Sequence, residues 1–176
     1  MSAQFSDLGI SAGILKAITE MGIVNPTEIQ QKTIPLLLSN TTDMVGLAKT
    51  GTGKTAAFGL PLLQLVDTQL PTVQAVILVP TRELGQQIFN NLESFAKYLP
   101  EVSIATVCGG IPIKPQIERL KEPTHIVVAT PGRLIDLLQR KAINLKETKF
   151  LVLDEADEMV SILKEGLDEI ITELPK

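Results

Sequence analysis

The stretch "GLAKTGTGKTAAF", residues 46–58, decides how the rest of the chain is read. It continues an apolar run, "DMVGLA" (43–48), and leads into a segment of helical length at 54–69. Thr50, Gly51, Thr52 and Gly53 precede Lys54 and Thr55, which fall where a helix should begin. Small residues let the backbone curl so that successive N–H groups converge on one anion, and the helix dipole adds to the attraction. In such a loop the lysine, here Lys54, reaches the β- and γ-phosphates of a nucleotide, and the hydroxyl of Thr55 ligates Mg2+. Ala48 stands where the general pattern has its outermost glycine. The competing reading is a glycine-rich strand-to-helix turn with no ligand.

Outward from this loop the chain alternates short apolar runs with longer amphipathic segments. The runs "VQAVILVP" (73–80), "VSIATV" (102–107), "THIVVAT" (124–130) and "KFLVLD" (149–154) join 43–48 as expected strands buried on both faces. Helices are expected near 54–69, 82–98, 112–121, 132–140 and 155–174, with two more at 11–21 and 27–38 ahead of the first strand. That order predicts an α/β fold with a mostly parallel sheet flanked by helices, read as one domain over 1–176. In such sheets ligands bind beyond the carboxyl ends of the strands. Those ends carry "AKTGTGKT", "PTREL", "CGG", "TPGR" and "DEAD".

Composition sets bounds on partners. The 176 residues are 44% hydrophobic and 20% charged, which suits a globular domain. The net charge of −4 is opposite to that of a domain holding nucleic acid by bulk electrostatics, so any such contact must be local. The start, "MSAQFSDLGIS", has neither the basic nor the apolar region of a secretory signal, and a cytoplasmic location is expected. Cys108, the one cysteine, is assigned to packing, and with His125 as the one histidine a thiolate zinc site is not expected.

A phosphate loop needs a partner carboxylate, and "KFLVLDEAD" ends an apolar run in two acids. Asp154 is placed to hold Mg2+ through its water shell, and Glu155 to orient and deprotonate a water attacking the γ-phosphate. The alternative is an acidic first turn of a helix, which the dipole also favours.

"AKTGTGKT", "PTREL", "TPGR" and "DEAD", in this order, closely resemble the first RecA-like domain of DEAD-box RNA helicases. In that family the loop commonly begins with alanine, so Ala48 and Lys49 belong to the nucleotide-binding stretch 48–55. The resemblance implies ATP and Mg2+ as ligands, with Lys54 and Glu155 in catalytic roles. It also implies an adenine-reading Q motif, matched by "GIVNPTEIQ" (22–30), within a region that starts at Phe5. Gln30 would read the adenine edge and Phe5 would pack near the base. Without the family, Gln30 is a polar helix residue and Phe5 a core anchor. Ile23 replaces the aromatic usual after the motif's glycine, which implies weaker stacking.

The same resemblance places Pro80, Thr81, Arg82, Gly109, Gly110, Thr130 and Arg133 along the sugar-phosphate backbone of an RNA strand, with no sequence readout. Each has a local alternative: "TPGR" is also a helix start with Thr130 as N-cap and Pro131 at N1, and Arg82 can pair with a neighbouring acid. Asp157 in the family couples "DEAD" to a Ser-Ala-Thr motif some thirty residues on. That motif and a second RecA-like domain are not in this sequence, so the sheet is expected to lack its last strand and Asp157 its partner. The expected activity is that of an ATP-dependent RNA helicase in a longer protein, with this chain alone binding nucleotide weakly and turning over little. The alternative is a nucleotide-responsive clamp for RNA or protein without hydrolysis of its own.

Overall fold

The computed structural model describes residues 4–39, 43–49 and 51–175, without the side chains of 160–165. Its contacts group into two compact units, one of residues 1–65 and 91–100, the other of 66–90 and 101–176.

The first unit is helical around the phosphate loop. A 3-10 turn, Phe5–Leu8, precedes α1 (Ala12–Glu20), α2 (Glu28–Ser39) and α3 (Lys54–Leu65). Helix α1 stops where Gly22 takes a left-handed φ of 77°, and Ile23 N–H then bonds the Ile18 carbonyl. The buried faces of these helices supply Ile14, Ile18, Ile34, Leu60 and Leu63, and the end of α4 (Arg82–Phe95) adds Leu92 and Phe95. Phe5 is 3% exposed and belongs to this core.

The second unit is built on a four-stranded parallel sheet, β1 (Ala75–Leu78), β2 (Ile104–Val107), β3 (Ile126–Ala129) and β4 (Phe150–Leu153), in the order β2-β3-β1-β4. Residues of β1 and β3 are buried along their whole length, as expected of central parallel strands covered on both faces. On one face Val76, Leu78, Val107, Val127 and Ala129 pack with α6 (Pro131–Gln139), α7 (Ala156–Thr172) and the apolar side of α5 (Ile113–Leu120). On the other face the start of α4 lies so close that a Cβ on Gly85 would meet Cys108 Sγ at 3.0 Å and Val79 Cγ2 at 3.2 Å. Cys108 is itself 2% exposed, a packing residue.

One expected strand is corrected. Residues 43–49 form no strand, and Val45 and Leu47 are 89% and 92% exposed. An apolar run becomes a strand only when neighbouring strands take up its N–H and C=O groups, and no described strand pairs with this one. β4, which carries the acidic motif, is an edge of the sheet, and its Leu153 is 37% exposed.

Candidate functional site

The sequence-predicted residues fall into two groups, one in each unit.

In the first unit the loop opens α3 as expected: Gly51 and Gly53 take φ of 80° and 84°, and Lys54 and Thr55 fall in the helix's first turn. Thr52 Oγ1 donates to the Lys49 carbonyl at 2.6 Å, which closes the turn on itself. Ala48 is half-buried and Lys49 exposed, while Thr50 lies outside the described residues.

Gln30 is the group that fixes this loop. It is 3% exposed, and its Oε1 accepts the Thr27 N–H at 2.9 Å in the manner of a capping box at the start of α2. Its Nε2 donates to the Gly53 carbonyl at 3.1 Å, which also accepts the Ala57 N–H at 3.1 Å. Only glycine suits position 53, because a Cβ there would overlap Gln30 Nε2 and φ is left-handed. "TEIQ" carries the T-x-x-Q signature of a capping box, so half of this arrangement had a local signal. The bond to Gly53 had none. Ile23 is half-buried.

In the second unit the four motifs sit at the carboxyl ends of four parallel strands, hence at one end of the sheet. After β1 come Pro80, half-buried, and Thr81, whose Oγ1 accepts the Leu84 N–H at 3.3 Å and caps α4. Arg82 pairs with Glu83 at 3.0 Å, the neighbouring-acid alternative. Glu83 is held below the usual carboxylate range, first by its own backbone N–H and then by Arg82. After β2 come Gly109 and Gly110, the latter exposed with φ 77° and an absent Cβ that would lie 3.5 Å from Arg82 Nη1.

After β3, Thr130 is the N-cap residue of α6 and Pro131 sits at its start, yet the Thr130 hydroxyl makes no cap bond. It reaches instead to the loop that follows β2 and accepts the Gly109 N–H at 3.0 Å. Arg133 Nη2 donates to the Ile111 carbonyl at 2.9 Å. The "CGG" and "TPGR" motifs are therefore one interlocked surface. Arg82 reaches the same place through its approach to Gly110.

After β4, Asp154 is 9% exposed and its backbone N–H bonds the Leu78 carbonyl at 3.0 Å, a last extension of the sheet. Its Oδ1 accepts the Glu155 N–H at 3.1 Å. Glu155 is in the left-handed region, φ 53° and ψ 48°, a conformation that costs a non-glycine residue about 1 kcal/mol or more. Strain of this kind persists where surrounding structure enforces it, and it commonly marks a functional position. Asp157 is exposed in the first turn of α7, where its charge favours the helix start.

Comparisons with known proteins show the family and the fold. A model of the DEAD/DEAH box helicase family matches residues 27–176. The chain is 45% identical over 174 residues to the DEAD-box ATP-dependent RNA helicase CshA of Streptococcus pneumoniae, covering 98% of this chain and 33% of that protein. It is 42% identical over 176 residues to the ATP-dependent RNA helicase DeaD of Mycobacterium tuberculosis, covering 99% and 31%. It thus spans about a third of the length of these curated relatives. Among solved structures, a DEAD box protein from the hyperthermophile Methanococcus jannaschii matches with a TM-score of 0.91 and 41% identity, over 99% of this chain and 48% of that one. S. cerevisiae Dbp5 bound to RNA and ADP BeF3 matches with a TM-score of 0.88 and 33% identity, over 98% and 44%.

Proposed function

Because the chain belongs to the DEAD/DEAH box helicase family, we propose that it is the ATP-binding half of an ATP-dependent RNA helicase. In this reading ATP binding and hydrolysis are coupled to local opening of RNA duplexes, with no base sequence read. The observation that carries it is the placement of "PTREL", "CGG", "TPGR" and "DEAD" at the carboxyl ends of four parallel strands of one sheet. That end of an open α/β sheet is where ligands bind. The relatives named above include helicases described as ATP-dependent and one structure holding RNA with a nucleotide.

The roles follow from each residue's chemistry. Lys54, in the first turn of α3, supplies positive charge to the β- and γ-phosphates, and the N–H groups of the Gly51–Gly53 turn supply neutral donors. The glycine-rich turn and the hydroxyl of Thr55 fit a magnesium-bound triphosphate, and so does the carboxylate of Asp154 at the end of β4. The ion would supply charge neutralisation along the phosphates. Glu155 orients and deprotonates the attacking water, and its enforced backbone fixes where that carboxylate begins. Arg82, Arg133 and the Gly109–Gly110 turn meet the RNA backbone through few charges, which suits a chain of net charge −4.

A second RecA-like domain, in a protein as long as the relatives, is proposed to complete the charge stabilisation at the γ-phosphate. This chain alone should then bind nucleotide weakly and hydrolyse it slowly. The test is Glu155→Gln in the longer protein. ATP binding should persist while RNA-stimulated hydrolysis falls by about 100-fold or more. A variant that hydrolyses ATP at the parent rate would remove Glu155 from its role. A parent protein that binds ATP and RNA but hydrolyses nothing would favour the clamp reading.

A further inference from the structure

The loop that joins β2 to α5, residues 108–112, belongs to no helix or strand, yet several of its backbone groups are held by side chains. Two of the holding residues, Thr130 and Arg133, lie in the "TPGR" motif, with Thr130 Oγ1 on the Gly109 N–H and Arg133 Nη2 on the Ile111 carbonyl. The third is Gln116, on α5, which no motif includes. Its Nε2 donates to the Cys108 carbonyl at 3.1 Å and to the Pro112 carbonyl at 3.3 Å. These are the two ends of the loop, and the span between them contains Gly109 and Gly110.

Gln116 is 6% exposed, and its Oε1 is buried with no hydrogen-bond partner among the described residues. A buried amide that leaves its oxygen unsatisfied is a poor choice for packing alone, since an apolar side chain of similar length would avoid that cost. What the apolar chain would lose is the pair of donors on the loop ends. Helix α5 is itself anchored at its other end, where Arg119 donates to Ser103 Oγ at 2.7 Å, to the Ile104 carbonyl at 3.0 Å and to Thr124 Oγ1 at 3.0 Å. The donors of Gln116 are thus carried on a helix that cannot easily shift relative to β2.

We propose that Gln116 is a positioning residue for the RNA-binding surface: it holds both ends of the 108–112 loop so that Gly109 and Gly110 keep one conformation for a sugar-phosphate backbone. The role rests on the reading, given above, that this loop meets RNA. A loop fixed before binding loses less freedom on binding, so the contribution is expressed as RNA affinity. Gln116 itself is buried and need not touch the strand.

The test compares the chain with Gln116→Leu, using a short oligouridylate, a fluorescent ATP analogue and amide hydrogen exchange. RNA affinity should fall about 5- to 10-fold while nucleotide affinity stays within about twofold, the larger figure being about 1.4 kcal/mol. Exchange at Gly109, Gly110 and Ile111 should accelerate while amides of β1 and β3 keep their protection. Gln116→Met serves the same purpose should the leucine variant not fold. Unchanged loop exchange would overturn the positioning role, and so would faster loop exchange with unchanged RNA affinity. Loss of protection throughout the sheet with equal losses of RNA and nucleotide binding would also overturn it, leaving a residue that merely supports the fold. A wild-type chain that does not hold oligouridylate at low salt would instead defeat the RNA reading itself.

Discussion

Gln30 is committed on both sides of its amide, with Oε1 on the Thr27 N–H and Nε2 on the Gly53 carbonyl. In the proposed adenine-reading role, such a residue would link base identity to the shape of the phosphate loop. Gln30→Ala should therefore do two separable things. It should lower stability by about 1 kcal/mol through loss of the cap, measured by urea titration. It should also erase preference for ATP over GTP in equilibrium binding, and unchanged selectivity would count against the adenine role. Nothing near Gln30 in sequence announces its contact with Gly53, twenty-three residues away.

His125 is a buried titratable residue of the second unit. It is 2% exposed, and its Nδ1 accepts the Ser103 N–H at 2.9 Å, which puts the ring proton on Nε2. Burial pushes its pKa below the ordinary 6.5, against a smaller opposing effect of Asp67. The unfolded chain then takes up a proton near pH 6.5 that the folded chain refuses, so stability is full above that value. It declines as pH falls from there to the lower folded pKa, and below both values this contribution levels off. The difference in urea midpoint between the parent and His125→Asn should change with pH across this window. A constant difference would show that the histidine does not titrate between the two states.

Elements were legible in proportion to how local their causes are. The runs at 73–80, 102–107, 124–130 and 149–154 each contain a strand, and the seven described α-helices match the expected segments to within a residue or so at the ends that overrun them, because burial on both faces and amphipathic spacing are written along the chain. Boundaries shifted by capping, as with Thr130 and Pro131, which begin α6 one residue before the expected 132. The run at 43–48 failed because its apolar character was visible, whereas whether a neighbouring strand would pair with it was not, and no described strand does. Helix α6 ends in a Schellman arrangement, with Lys141 N–H on the Leu138 carbonyl and Ala142 N–H on the Leu137 carbonyl. Lys141 there holds φ of 56°, a conformation in which glycine carries no Cβ penalty. Lys141→Gly should raise stability by about 0.5–1 kcal/mol in urea titration, and a loss of that size would mean the lysine side chain matters more than the backbone.

Across the whole chain, a net charge of −4 with basic residues placed at strand ends suits local rather than bulk electrostatic contact with nucleic acid. The phosphate loop, the acidic strand end and their family were readable as motifs. The interlocking of "CGG" with "TPGR", and the part of Gln116 in it, were not, because side chains meet there from segments that only folding brings together. We propose that residues 48–55 and Gln30 make an ATP-selective site. The most direct measurement is equilibrium binding of ATP and GTP, with magnesium, to this chain and to Lys54→Ala. ATP should bind more tightly than GTP, and the substitution should weaken ATP by about 10-fold or more. Equal binding of the two nucleotides, or ATP binding indifferent to Lys54, would contradict it.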